Sequence, residues 1–221
     1  EEIRFVLRTA GQYLSRPPGR DDILSCWAGI RPLVKAGGAP GTASLSRDHS
    51  VHIDPNGLVT IAGGKWTTYR RMAEECVTQA AMLAQLEERP CVTRRLRIHG
   101  YHHHAGSRMH LAVYGSDAIQ IEEMTRLHPD RARKLHPALP HMEAEVIWAA
   151  RWEMARTVED VLARRTRILQ LNAQAAVEAA PRVAALLAAE LGRGAEWQAG
   201  QIVRFTALSA KYRPGPAAEH R

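Results

Sequence analysis

Lys65 stands in the stretch of this chain whose residue types could do the most chemistry, residues 58–70, LVTIAGGKWTTYR. Gly63 and Gly64 interrupt an apolar run, and Lys65, Trp66, Thr67 and Thr68 follow before a helical pattern sets in at Tyr69. Paired glycines let a backbone approach a ligand closely, and free N–H groups at a helix start suit an anion. The lysine adds a point charge and the threonines add short hydroxyl donors. On Gly-Gly-Lys alone, a tight strand-to-helix turn with a solvated lysine reads equally well, because short glycine motifs recur by chance.

The elements that must position this turn follow from periodicity. Leu58, Val59, Ile61 and Ala62 read as a short buried strand, and residues 50–54 alternate like another. Pro55-Asn56-Gly57 between them makes residues 50–62 a β-hairpin. The helix after the turn runs from about Thr68 to Leu86. Upstream, residues 3–14 read as a short helix closed by Ser15-Arg16-Pro17-Pro18-Gly19. Ile23 to Ile30 reads as a strand leading to Arg31-Pro32, and residues 35–44, rich in Gly, Ala and Pro, as a loop.

Charge and Pro90 break the pattern over residues 87–97, and the remainder is expected to be helical. Residues 143–153 place Val146, Ile147, Ala150 and Met154 on one core face. Thr157 with Asp160 resembles an N-cap that starts a new helix, whose apolar stripe is Val158, Val161, Leu162 and Leu169. Asn172 to Leu191 is a further helix with Pro181 as a kink or restart and Gly192 as its C-cap, and residues 197–212 close the set. The expected class is α+β. Residues 1–88 form a unit of strands, hairpin and one helix, residues 89–212 an all-helical domain, and residues 213–221 a disordered tail.

Composition excludes several classes. The apolar fraction of 45% is enough for a core, while aromatics make up only 5%. A formal net charge of +7 invites a nucleic-acid or anionic-membrane reading. Nucleic acid is set aside, because the arginines are interleaved with Glu153, Glu159 and Asp160 and no aromatic-basic stacking platform accompanies them. Arg151, Arg156, Arg164, Arg165 and Arg167 are read as helix residues paired with neighbouring carboxylates. No run approaches the roughly 18 apolar residues of a membrane span, and no signal peptide is visible.

Cys26, Cys76 and Cys91 lie far apart without C-x-x-C spacing, which fits a reducing compartment with neither disulfide framework nor zinc site. His102, His103 and His104 are consecutive, so their side chains cannot share one face of a helix or strand, and a solvated loop is favoured over a metal site.

Beyond the turn itself, GGKWTTYR at 63–70, WAGIRPLV at 27–34, SRDHSV at 46–51 and residues 135–167 occur in an order that closely resembles the FAD-dependent, quinone-linked glycerol-3-phosphate dehydrogenases. The resemblance runs from about Asp21 to about Tyr212. It implies the C-terminal remnant of a FAD-binding α/β oxidoreductase domain followed by that family's helical C-terminal domain. The chain begins at Glu1 rather than Met and carries no G-x-G-x-x-G after a strand. It is therefore expected to be the C-terminal part of a longer flavoenzyme that binds no FAD alone.

The implied activity is oxidation of sn-glycerol 3-phosphate to dihydroxyacetone phosphate, with hydride transfer to FAD and electrons passed to quinone. The implied setting is cytoplasmic, peripheral to the inner face of the cell membrane, with a homodimer as an option. By the same resemblance, Arg31, Arg47 and Lys65 line the substrate pocket, with Arg31 and Lys65 in catalytic roles. Gly63, Gly64, Lys65, Trp66, Thr67 and Thr68 contact the flavin. The glycines would do so by backbone approach and the threonines by hydrogen bonds. Each cation also has a plainer reading: a turn residue at Arg31, a local pair with Asp48 at Arg47, a solvated lysine at Lys65. The alternatives are a glycerol-3-phosphate oxidase that uses oxygen and a non-catalytic helical interaction module.

Overall fold

A computed structural model describes residues 1–30 and 48–213. Contacts divide the chain into two units, Glu1–Ala28 with His99–Arg221, and Gly29–Ile98. The expected loop at 35–44, Arg31, Arg47 and the tail beyond Arg213 lie outside the described residues.

The smaller unit is a hairpin followed by a helix. Strand β1 (His49–Ile53) pairs antiparallel with β2 (Val59–Gly63) in the register His49↔Gly63 through Ile53↔Val59. Asn56 Oδ1 accepts the Leu58 N–H at 3.0 Å, and Gly57 supplies the positive φ of +87° that the turn needs. Helix α2 (Tyr69–Leu83) is slightly shorter than the pattern suggests. It ends because Gln85 turns left-handed, so that the Leu86 N–H bonds the Ala81 carbonyl and the Gln85 N–H the Met82 carbonyl.

The larger unit is helical. Helix α1 (Glu2–Ala10) buries none of its residues. Helices α3 (Ala118–Leu127), α4 (Glu143–Trp152), α5 (Ile168–Leu171), α6 (Ala173–Leu191) and α7 (Ala195–Ala210) follow the smaller unit. A 3-10 segment, Ala105–Asp117, leads into α3. Helix α6 is central. Ala173, Ala175, Ala176, Ala179, Ala180, Ala184 and Ala188 are all buried, and their small side chains let neighbouring helices come close. Asn172 caps its start, Gly192 in the left-handed conformation closes it, and the helix passes through Pro181 without a break.

Helix α4 joins two apolar clusters. Val146, Ala149 and Ala150 pack with α6, while Ala144 and Trp148 pack with Leu111, Ala118 and Ile121. The Thr157 cap forms as its spacing suggests: Thr157 Oγ1 accepts the Asp160 N–H at 3.1 Å, and Asp160 Oδ2 accepts the Thr157 N–H at 2.9 Å. The next turn is wide, a π-helical stretch at Asp160–Arg165. Two buried polar side chains of α7 serve backbone groups elsewhere, Gln201 accepting the Val158 N–H and Ser209 donating to the Ala173 carbonyl.

Several sequence expectations need correction. Residues 23–30 form no strand. Their backbone instead bonds helix ends: the Ala173 N–H donates to the Leu24 carbonyl at 3.0 Å and the Cys26 N–H to the Tyr212 carbonyl at 2.7 Å. Ser25 Oγ adds a bond to the Leu169 carbonyl at 2.8 Å. These bonds put residues 1–28 with the helical unit, whereas the sequence pattern groups all of 1–88 together. Met154, expected in the core, is 78% exposed, because the chain turns left-handed there after α4 ends. Of the five arginines read as paired on helices, Arg151, Arg164 and Arg165 do meet carboxylates. Arg156 donates instead to the carbonyls of Ala150 and Ala155, and Arg167 occupies a left-handed position before α5.

Candidate functional site

The Gly-Gly-Lys turn lies where β2 hands the chain to α2. Gly63 and Gly64 have φ of +79° and +75°, a region closed to most other residues at low cost. At Gly64 there is a second reason. A Cβ there would stand 2.5 Å from Met72 Sδ, 2.9 Å from Met72 Cε and 3.2 Å from His49 Cβ. The left-handed φ is what calls for glycine at 64, and a Cβ there would also displace the flexible end of the Met72 side chain on α2 and crowd His49 on β1.

Lys65 is extended (φ −136°, ψ 153°) and opens a 3-10 turn, Trp66–Thr68, that runs into α2. Thr68 is occupied by the turn itself. Its hydroxyl donates to the Lys65 carbonyl at 3.0 Å and receives the Lys65 N–H at 3.3 Å, while its own N–H reaches the same carbonyl at 2.9 Å. Lys65, Trp66 and Thr67 are exposed, and Trp66 stacks on Tyr69 with ring centroids 5.0 Å apart. The expected flavin contacts Lys65, Trp66, Thr67 and Thr68 are all exposed, and Thr68 is the one whose hydroxyl is engaged in the turn's own hydrogen bonds.

Electrostatics single out Lys65. Arg70 and Arg71, the first basic residues of α2, are each met one turn on, by Glu74 at 2.7 Å and Glu75 at 2.6 Å. Arg70 holds the Glu74 carboxyl below the usual carboxylate range, and Arg71 followed by His49 does the same for Glu75. Lys65 has no carboxylate within ion-pair reach among the described residues.

The turn is clamped from beneath. His49 Nε2 bonds Glu75 Oε2 at 2.7 Å, tying β1 to α2, and Glu75 Oε1 holds Arg71. Sequence reasoning did not find this clamp. The Arg71–Glu75 spacing was readable as an i,i+4 pair, but His49 lies 26 residues away and only the hairpin brings it across. Arg31 and Arg47, the other two proposed substrate cations, lie outside the described residues.

Residues 58–198 match the family described as the C-terminal domain of alpha-glycerophosphate oxidase. The chain is 37% identical over 224 residues to a Caenorhabditis elegans protein named as a probable mitochondrial glycerol-3-phosphate dehydrogenase, covering 91% of this chain and 31% of that protein. It is 38% identical to the human mitochondrial glycerol-3-phosphate dehydrogenase over 86% of this chain and 29% of that one. The corresponding Arabidopsis thaliana enzyme is 37% identical over 86% of this chain and 35% of its own length. The chain thus spans about a third of the length of these relatives.

Among solved structures, the Bacillus halodurans glycerol-3-phosphate dehydrogenase complexed with FAD superposes with a TM-score of 0.72. That match covers 100% of this chain and 46% of the other at 22% identity, and it supports the α+β fold class. The chain belongs to the family of the alpha-glycerophosphate oxidase C-terminal domain and is homologous to the C-terminal portion of FAD-dependent glycerol-3-phosphate dehydrogenases.

Proposed function

We propose that this chain is the part of a flavoenzyme that supplies Lys65 to a site oxidising glycerol 3-phosphate to dihydroxyacetone phosphate. The observation that carries the reading is the exposed Lys65 on the Gly-Gly turn, with no carboxylate within ion-pair reach among the described residues, in a chain whose relatives named above are glycerol-3-phosphate dehydrogenases. Glycerol 3-phosphate is a dianion, and its oxidation develops negative charge on the alcohol oxygen as the proton leaves. A lysine without a competing carboxylate stabilises that charge or holds the phosphate as a point charge. Arg31 and Arg47 are assigned the remaining phosphate contacts, for which the guanidinium fork is suited.

FAD, when bound, accepts the hydride from the secondary carbon. For that cofactor the turn offers the Lys65 ammonium, the Thr67 hydroxyl and the exposed Trp66 ring, while Thr68 and Gly64 keep the turn's shape. Quinone as electron acceptor, association with the inner face of the cell membrane from the cytoplasmic side and a homodimer belong to this reading. No helix among the described residues is long and apolar enough to cross a membrane, so the attachment proposed is peripheral. Oxygen as acceptor is the second reading, favoured by the oxidase named in the matching family.

The test uses the complete flavoenzyme. Glycerol 3-phosphate added without air should bleach the flavin, and Lys65→Met should slow that bleaching while leaving the bound flavin in place. A flavin that glycerol 3-phosphate does not reduce would remove the reading. Reoxidation by a quinone or by oxygen then separates the two acceptors.

A further inference from the structure

Lys65 stands in a short bridge. Strand β2 ends at Gly63 and α2 begins at Tyr69, so residues 64–68 carry the chain from the hairpin to the helix. The place of the lysine is therefore set by how α2 lies on the hairpin. Helix α2 buries none of its residues, so no enclosed apolar core fixes it there. Specific side-chain ties must do so instead.

One tie is apolar: the Met72 thioether of α2 lies against Gly64. The other is polar and reaches from β1. His49 pairs with Gly63 in the ladder, beside the residue where the turn starts, and its Nε2 lies 2.7 Å from Glu75 Oε2 in the second turn of α2. A carboxylate oxygen only accepts, so His49 Nε2 carries the proton and donates. The His49 side chain is 15% exposed, which limits competition from water for that bond. Glu75 is itself held in place, because its other oxygen, Oε1, takes the Arg71 Nε–H at 2.6 Å. With both oxygens engaged, the carboxylate keeps little freedom to swing, and the bond to His49 transmits position from the strand to the helix. The bond joins residues 26 apart and encloses the whole Gly-Gly-Lys turn in one closed ring of chain.

We propose that His49 is a positioning residue for Lys65: its bond to Glu75 fixes α2 against β1 and so holds the Gly-Gly turn where the lysine meets the substrate's charge. His49 acts through the lysine, not on the reacting atoms. The inference rests on the reading of Lys65 as a substrate cation, and its test separates the two.

The test is a double-mutant cycle in the complete flavoenzyme, read as the rate at which saturating glycerol 3-phosphate reduces the bound flavin without air. His49→Phe keeps a ring in place and removes the donor; it should slow reduction by roughly tenfold while the flavin stays bound. His49→Gln, whose amide nitrogen reaches the position of Nε2, should restore most of the rate, and the shorter His49→Asn should not. In a Lys65→Met background, His49→Phe should slow the reaction no further. An equal slowing with and without Lys65, or a parent rate for His49→Phe beside a slow Lys65→Met, overturns the positioning role. A parent rate for Lys65→Met overturns the reading of the lysine and the positioning role with it. Should His49→Phe not fold, Glu75→Ala breaks the same bond from the other end, and the same cycle is read. If glycerol 3-phosphate reduces no flavin at all, hydrogen–deuterium exchange decides. Peptides across residues 63–69 should then exchange several-fold faster in His49→Phe than in the parent or in His49→Gln, while those of α6 hold steady. Exchange equal in all three refutes the clamp.

Discussion

Met72 Sδ fills the space that a Cβ on Gly64 would need, with only 2.5 Å between them. The thioether of α2 and the backbone of the Gly-Gly turn are therefore fitted to one another, and the turn's shape belongs to the folded chain before any ligand arrives. Lys65 is then presented from a fixed base. Preorganisation of this kind leaves less ordering to be done when a charged ligand binds.

Gly64→Ala should destabilise the hairpin–helix unit by about 1–3 kcal/mol, from the positive φ and the clash together. Combining it with Met72→Ala should recover part of the loss, because the clash is removed and the strain remains. Thermal melts of the two variants and the parent check this. A Gly64→Ala variant as stable as the parent would return the glycine's role to ligand approach alone.

Thr67 and Thr68 should separate. Thr68→Val removes the hydroxyl that bridges the Lys65 carbonyl and N–H and should cost about 0.5–1.5 kcal/mol of stability. Thr67→Val, at an exposed hydroxyl, should leave the melt unchanged and weaken flavin or substrate binding in the complete flavoenzyme. Equal effects of the two on stability would contradict the turn's hydrogen bonding.

The local rules were legible in the sequence wherever the cause was local. The hairpin at Pro55-Asn56-Gly57, the Thr157–Asp160 cap and the Asn172 and Gly192 ends of α6 need only neighbouring residues, and all form. Residues 23–30 depart from the strand that their pattern suggests, because an apolar extended stretch can satisfy its backbone in two ways. Only the fold decides that Tyr212 and Ala173, rather than another strand, will bond it. Met154 has the right spacing for α4's core face, but spacing says nothing of the left-handed turn that ends the helix before it. At the candidate site, Lys65 and the glycines could be read directly, whereas His49, Met72 and Glu75 acquire meaning only once β1 lies against α2.

Arg182 offers a check on the helical core. It grips the buried Glu143 with two bonds of 2.9 and 2.5 Å, joining α6 to α4. Arg182→Leu should leave that carboxyl without its main partner and cost about 2 kcal/mol, a figure reduced because the arginine side chain is 47% exposed. Adding Glu143→Gln should restore stability by relieving the unpaired charge. A double variant no better than Arg182→Leu would show that packing, not charge, dominates the contact.

Glu145 should write a recognisable sign into the pH dependence of stability. Its acid is raised from 4.5 to about 7 in the folded chain, so between those values the folded state holds a proton that the unfolded state has released. Its contribution is complete below about pH 4.5 and is lost as the pH rises through 7, a change on the order of 3 kcal/mol. His110 and His141 act in the opposite sense, because burial lowers them from 6.5: their contribution is present above that value and lost as acid charges the rings. Glu145→Gln should therefore abolish the decline toward alkaline pH and leave the acid-side loss intact. Urea midpoints of parent and variant across this range measure both limbs. If the variant kept the parent's decline between about pH 4.5 and 7, the titrating group would lie elsewhere, and the proton assigned to Glu145 would have to be reassigned with it.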